Sequence, residues 1–290
     1  MKRRIGIIGA GPAGIACAIQ LNRYGLEPVI FEKEEPGGLI RNANLVENYL
    51  GFPFGISPDY LIGSFEKHLL KFEIDIQREE VLEAGLRSDT FIVRTKPGTS
   101  RFDYLVIASG TRPKRQPAFE KQAPEKIFYE VWPLKKAKGK EIGIIGGGDA
   151  AFDYALNLAV NNQVKIFNRS GRTRCLPQLF ERCEKNMKIT YFPDTALKEI
   201  QDNVRFMTAE FRNKNKTMAH SLDYLIFATG REPENDFIHE SLAGNAEGLE
   251  QEGRLYFIGD VRNELFRQVS IATGDGIRAA MRINHIIRNT

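Results

Sequence analysis

Two β-branched runs of the same kind occur in the two halves of the chain. Ile5-Gly6-Ile7-Ile8 and Ile142-Gly143-Ile144-Ile145 each end in glycines and pass into a stretch whose apolar positions recur at helical spacing. Further on, "DYLVIASGTRP" (103–113) and "DYLIFATGREP" (223–233) form a second matching pair, in the same order. An apolar run without polar alternation suits a strand covered on both faces, as in a parallel sheet. The pattern therefore predicts a strand–helix–strand unit twice over. Around these units, residues 58–71 ("PDYLIGSFEKHLLK") predict an amphipathic helix, and residues 79–107 predict short strands in a meander. A last helix is expected near 267–288, apolar on one face. Pro113, Pro117 and Pro233 mark linkers. The expected domains are 1–112 with 231–290, and an inserted 113–230.

The glycines after the two runs give the units a chemistry. Gly9, Gly11, Pro12, Ala13 and Gly14 form one G-x-G-x-x-G fingerprint; Gly146, Gly147, Gly148, Asp149, Ala150 and Ala151 form a second that ends in alanine. In such a turn the first glycine permits the tight bend and the second lets backbone approach a pyrophosphate. The third position lets helix pack on strand. The helix N-terminus then presents free N–H groups to the phosphates. One such turn is weak evidence; two, each with a following helix and a matching later strand, predict two nucleotide sites. The expected fold class is α/β, with two Rossmann-like domains.

The copies diverge where a nucleotide fold distinguishes its ligands. The strand after the first fingerprint ends in Glu32-Lys33, and a carboxylate there accepts hydrogen bonds from ribose hydroxyls. The strand after the second ends in Asn168-Arg169-Ser170, with Arg172 and Arg174 close behind. Arginines there would pair with a 2′-phosphate, which a carboxylate would repel. The first site thus suits FAD and the second NADP(H). The alternative is that these arginines are plain surface charges.

Composition narrows the rest. With 42% apolar and 27% charged residues and a net charge of +4, the chain has the profile of a globular protein; neither nucleic acid nor a membrane is expected as partner. Residues 112–140 hold nine Lys/Arg against three Glu. That run is either a solvated face or a docking surface for an acidic protein. Cys17, Cys175 and Cys183 are too few for a disulfide framework, and the four histidines show no ligand spacing, so no metal is expected. The opening "MKRRIGIIGAGPAGIACA" has the look of a signal peptide, but a nucleotide fold explains Gly9, Gly11 and Gly14; the chain is expected to be cytoplasmic and unprocessed.

Taken together, "GAGPAG" with Glu32, "GGLIRNANLVENYLGFP" (37–53), the two Ala-Ser/Thr-Gly strands, "GGGDAA" and "FIGDVRNELFRQVSIATGDGIRAA" (257–280) resemble the low-molecular-weight thioredoxin reductase-like flavoproteins. These belong to the pyridine nucleotide–disulfide oxidoreductases. The resemblance spans nearly the whole chain. It implies that Gly38, Leu39 and Asn48 of the 37–53 loop approach the flavin, with Val81 and Ala108-Ser109-Gly110 beside the same cofactor. It also implies that Gly259-Asp260 binds the ribityl chain and that Arg267, Gln268 and Val269 line the isoalloxazine. A homodimer is implied as well.

One stretch departs from the family. Where thioredoxin reductases carry Cys-x-x-Cys, this chain reads Tyr129-Glu130-Val131-Trp132. Cys175 and Cys183, if on one helix, would lie about 12 Å apart along it, beyond the roughly 7 Å limit for bridging Cα atoms. Cys17 is expected to pack as a small apolar residue in the first helix. "IFYEVWPLKKAKGKEI" is similar instead to the ferredoxin/flavodoxin–NADP reductases of the same fold, which also lack the dithiol. An FAD-dependent NAD(P)H oxidoreductase serving ferredoxin or flavodoxin is therefore expected, with no side chain needed as catalytic acid or base. The alternatives are a reductase with another thiol or acceptor and a non-catalytic redox sensor. Tyr129 and Trp132 are expected either to pack between domains or to shield the flavin.

Overall fold

The computed structural model describes residues 3–214 and 216–289. It forms two compact units. The first comprises the chain through Arg41, Val46–Arg112 and the chain from Glu232 onward; the second comprises Asn42–Leu45 with Pro113–Arg231.

In the first unit a parallel sheet takes the order Leu255–Phe257, Tyr104–Ile107, Ile5–Ile8, Pro28–Phe31, Ile76–Gln77. Ile5–Ile8 and Tyr104–Ile107 are buried at every position, which is why they carry no polar alternation. The helix Pro12–Arg23 follows the first strand, and the C-terminal helix Val269–Asn289 packs directly on it. At their crossing, a Cβ on Gly276 would overlap the carbonyl oxygen of Ala13, so any side chain there would force the helices apart. The amphipathic helix spans Pro58–Lys71; the Ser57 hydroxyl caps it by accepting from the Tyr60 N–H at 3.3 Å, and proline opens its first turn.

The meander differs from the expected 79–107. It comprises Glu83–Arg87, Thr90–Arg94 and Thr99–Phe102, paired antiparallel. Residues 79–82 form no strand, and Tyr104–Ile107 belongs to the parallel sheet. The switch falls at Asp103, whose carboxylate accepts the Arg4 N–H at 2.8 Å; the next four residues are buried on both faces. Phe31 and Phe102 meet edge to face at 6.0 Å, joining meander to sheet.

The second unit repeats the plan, with a parallel sheet in the order Ile189–Phe192, Gln163–Phe167, Glu141–Ile145, Tyr224–Phe227, Ile127–Phe128. Helices Asp149–Ala159 and Pro177–Glu184 cover one face through Phe152, Ala155, Leu158, Leu179 and Cys183. A meander of Thr195–Asp202, Met207–Asn213 and Lys216–Leu222 supplies the other core, where Phe167 stacks on Phe211 at 3.8 Å.

The cysteines need one correction. Cys183 lies in the helix Pro177–Glu184, but Cys175 precedes that helix, with Leu176 as its N-cap, so separation along a shared helix does not describe the pair. All three thiols are free. Cys17 is fully buried in the first helix, and burial pushes its thiol up to about 12; the same cause raises buried Cys183 to about 12. Among the described residues, no helix is long and apolar enough to cross a membrane.

Candidate functional site

Each unit gathers its fingerprint and partner residues at the carboxyl ends of its parallel strands, where open α/β sheets bind ligands. In the first unit Gly9 takes φ +104°, and a Cβ there would overlap the carbonyl oxygen of Ala108. A Cβ on Gly14 would in turn overlap the Gly9 oxygen. Gly11 is the opposite case: a Cβ would meet nothing within 4 Å. The open space lies at the N-terminus of Pro12–Arg23, whose first turn holds Pro12 and Ala13 and no acidic residue. Room at Gly11, unpaired first-turn N–H groups and no opposing carboxylate fit a pyrophosphate.

The 37–42 loop closes over this turn. The Gly37 N–H donates to Ala10 O at 2.9 Å, and a Cβ on Gly38 would lie 3.3 Å from the Gly11 Cα; Gly38 and Leu39 begin the short turn Gly38–Asn42. The Glu32 carboxylate accepts the Ala10 N–H at 2.8 Å through one oxygen and the Glu34 N–H at 2.9 Å through the other. A carboxylate has about four acceptor directions, so a ribose can still be held. Ala108 donates its N–H to Ile8 O at 2.8 Å, Ser109 donates its hydroxyl to Glu234 O at 2.6 Å, and Gly110 takes φ +71°. Lys33 pairs with the Glu234 carboxylate. Glu234, distant in sequence and outside every motif, was not foreseen.

The residues expected around the flavin ring divide into two groups. The turn Gly259–Val261, with Asp260, sits against the fingerprint helix: a Cβ on Gly259 would lie 2.9 Å from that of Ala13. Asn48 Nδ2 donates to Gln268 Oε1 at 2.9 Å, which joins the 37–53 loop to the segment before Val269, the first residue of the C-terminal helix. Arg267 holds its Nε buried with no hydrogen-bond partner among the described residues. A buried donor left unsatisfied is costly, so this atom marks a place for an acceptor from outside the chain. Val81, by contrast, packs against the apolar cluster of Phe31, Phe91 and Ile107.

In the second unit a Cβ on Gly146 would lie 2.6 Å from Ala228 O, matching Gly9 and Ala108. Gly148 again faces open space. The third position accepts the buried Cβ of Ala151. Asp149 and Ala150 are exposed in the first helical turn, and the Asp149 carboxylate accepts the Leu176 N–H at 2.7 Å. Residues 169–176 curl back onto the turn, where the Arg174 N–H donates to Gly147 O at 2.7 Å. Asn168 is buried, and its side chain shapes this loop. Nδ2 donates to Arg172 O at 3.1 Å and lies 3.0 Å from the Tyr191 hydroxyl, while Oδ1 accepts the Ser170 N–H at 3.2 Å. A Cβ on Gly147 would strike it at 2.5 Å. Asn168 therefore supports the loop from below. Arg169, Arg172 and Arg174 point no charge at a carboxylate: among the described residues none makes an ion pair.

The Tyr129–Trp132 turn belongs to the second unit's own fabric. Tyr129 stacks on Phe227 at 5.9 Å and donates its hydroxyl to Glu120. Burial, with the Glu120 carboxylate beside it, pushes the Tyr129 phenol up to about 12, while Arg115 holds Glu120 down at about 2. Glu130 is the hub of a polar network: it accepts from Asn42 Nδ2 at 2.6 Å and Tyr154 Oη at 3.4 Å and pairs with Arg231. Nothing in the sequence pattern signalled that network. Val131 is buried and Trp132 is exposed.

The fold matches that of thioredoxin reductases from Lactococcus lactis (TM-score 0.88, 24% identity, all of both chains) and T. acidophilum (TM-score 0.84, 24% identity, 98% of each). By sequence the chain is 28% identical to a thioredoxin reductase of Mycoplasma genitalium over 96% of its length and 93% of that protein's. It is 29% identical to a "34.2 kDa protein in rubredoxin operon" of Clostridium pasteurianum, over 95% and 94%. Thioredoxin reductase-like proteins bind FAD and NADPH. The model of the pyridine nucleotide-disulphide oxidoreductase family matches residues 3–276, and the chain belongs to that family of FAD-dependent oxidoreductases.

Proposed function

We propose that the first unit holds FAD, the second holds NADPH, and the protein passes electrons from NADPH to a small carrier such as ferredoxin or flavodoxin. The observation that carries this reading is the contrast at the two ribose positions: the backbone-held carboxylate of Glu32 in one unit, and the unpaired Arg169, Arg172 and Arg174 in the other. When bound, the two cofactors supply hydride transfer between nicotinamide and flavin. The protein's part is to bind and orient. Gly9, Gly11 and Gly14 with the helix N-terminus would hold the FAD pyrophosphate and Glu32 the ribose. Asp260 would hold the ribityl chain, and the buried Arg267 Nε would donate to the ring system. Gly146, Gly147 and Gly148 would hold the NADPH pyrophosphate, and the three arginines its 2′-phosphate, at roughly 1.5–3 kcal/mol per charged hydrogen bond.

The carrier is inferred from the missing dithiol. The sequence contains no Cys-x-x-Cys, and Cys17 and Cys183 are buried with raised thiols, so a disulfide relay has no pair to use. The name of the Clostridium relative places it in a rubredoxin operon, which supports a one-electron carrier. The names of several relatives favour a second reading, reduction of a disulfide substrate. A homodimer is supported by the exposed Ile271, Ile277 and Met281 on the C-terminal helix.

The test is anaerobic mixing of the yellow protein with NADPH, followed by a screen of acceptors. Bleaching of the flavin by NADPH and reduction of ferredoxin or flavodoxin are expected. A protein that takes no FAD on reconstitution, or whose flavin NADPH leaves oxidised, overturns the proposal. Turnover with a disulfide but with no carrier moves the assignment to the second reading.

A further inference from the structure

Folding separates the nine basic residues of 112–140, and four of them are paired. Arg112 pairs with Glu232 at 2.9 Å and with Asp236, Arg115 with Glu120 at 2.6 Å, Lys126 with Asp202, and Lys140 with Asp223 at 3.0 Å. These four charges are locally neutralised. Lys136 and Lys138 are exposed and make no ion pair with any described residue. From Val131 to Lys140 the chain has no carboxylate at all. In the same stretch Trp132, the sole tryptophan, is 47% exposed beside an exposed Pro133, and Lys135 holds its ammonium 5.3 Å from the indole centroid.

The stretch sits on a fixed platform. Val131 and Leu134 are buried beneath it. The Leu134 N–H donates to Val131 O at 2.9 Å, Ala137 N–H to Leu134 O at 2.9 Å, and Gly139 N–H to Asn161 O at 2.9 Å. Asn162 clamps the far end: Nδ2 donates to Ala137 O at 3.0 Å, and Oδ1 accepts the Lys140 N–H at 3.0 Å. Glu130 clamps the near end through Asn42 and Arg231. An ordered, solvent-facing aromatic in the same stretch as Lys136 and Lys138 has the make-up of a binding hot spot with a charged rim, and its rigidity lowers the entropy lost on association.

We infer that residues 132–138 are a docking surface for a small acidic protein, which places apolar surface on Trp132 and Pro133 and carboxylates at Lys136 and Lys138. That this protein is an electron carrier rests on the function proposed above. Nucleic acid suits it less well, because affinity for a polyanion grows with each phosphate neutralised, and four of the nine basic residues of 112–140 are already paired.

Because Trp132 is the only tryptophan, its emission reports on the surface directly. The FAD-loaded protein is titrated with ferredoxin, with flavodoxin and with a dT oligonucleotide, reading Trp132 fluorescence and, separately, the calorimetric affinity. For at least one carrier, Lys136→Glu with Lys138→Glu is expected to weaken binding by about tenfold or more, and Trp132→Ala by a similar factor. Lys198→Glu, an exposed lysine of the same unit, is expected to change it less than about twofold. Flavin reduction by NADPH keeps its rate in the double variant. Binding that ignores the double reversal, or that Lys198→Glu weakens as much per charge, overturns the surface. So does absence of binding to either carrier, or tighter binding of the oligonucleotide through the same lysines. Carrier binding through Lys136 and Lys138 in a protein whose flavin NADPH cannot reduce would leave the surface standing and remove the proposed function instead.

Discussion

The two glycine turns share one design but are covered differently. In the first, Gly9, Gly14 and Gly276 are all places where a Cβ would overlap backbone, and the 37–42 loop lies across the turn through the Gly37–Ala10 hydrogen bond. In the second, the third position carries a methyl, Asp149 and Ala150 stand exposed, and the covering loop 169–176 is short, polar and rich in unpaired arginine. On the function proposed above, the difference is that between a site closed around a ligand that stays and one open to a ligand that exchanges. Both turns pack closely on backbone at their first glycine, but the first is crossed by the 37–42 loop, whereas the second is bordered by exposed polar residues. It accords with FAD as the resident group and NADPH as the substrate.

The sharpest way to break the comparison is to exchange the third positions. In Gly14→Ala the new methyl would collide with the Gly9 carbonyl, which cannot rotate away. A loss of at least about 3 kcal/mol is expected, with a melting temperature lower by about 6–12 °C and protein that no longer retains FAD. Ala151→Gly, the converse change, should cost only about 1 kcal/mol and leave the protein yellow. Retention of FAD by Gly14→Ala would show that the first turn is not held by close packing.

A smaller effect is expected at the second ribose. Replacing Arg169 and Arg174 together by alanine should lower the preference for NADPH over NADH, read as a ratio of kcat/KM, by about 10- to 100-fold. Flavin content should not change. An equal rate with both nucleotides in the unaltered protein would reduce the arginines to surface charges.

Glu32→Gln probes the matching position of the first unit more gently. The amide oxygen can still accept the Ala10 N–H, but one acceptor and the charge are lost, so FAD affinity should fall by about tenfold at most. Equilibrium dialysis against free FAD measures it. A far larger loss would mean that the carboxylate also orders the turn.

The thiols should give the smallest effect. With Cys17 and Cys183 raised to about 12, only about one thiol in ten thousand is ionised at pH 8, where an ordinary cysteine is partly thiolate. Iodoacetamide should label neither in the native protein, and Cys175→Ser and Cys183→Ser should leave NADPH-dependent carrier reduction intact. Loss of acceptor reduction in both variants, with flavin reduction retained, would restore a thiol mechanism.

Much of the fold was legible because it follows from local rules. Both fingerprints, the helix Pro58–Lys71 and the two closing strands are written in periodicity and glycine spacing, which depend on neighbours within one or two turns. The meander boundary was misplaced because Asp103 marks a change of sheet only through its hydrogen bond to Arg4. Asn168 was placed among the ligand-binding residues by its position after the strand, and only the packing of Gly147 and Tyr191 against it reveals a supporting role.

By itself the sequence determined that the chain would build two nucleotide turns, one ending at a carboxylate and one at arginines, and that no dithiol would follow. These are matters of which residues occur and at what spacing. Only tertiary structure decided which charges remain available. Nine basic residues in 112–140 look alike on paper, yet four meet carboxylates brought to them by the fold, some from far along the chain: Glu232, Asp236, Glu120, Asp202 and Asp223. Likewise Glu234 reaches Lys33 and Ser109, and Glu130 reaches Asn42, Tyr154 and Arg231, across separations that no periodicity encodes. An ion pair depends on distance in space, and that distance exists only after the chain has folded.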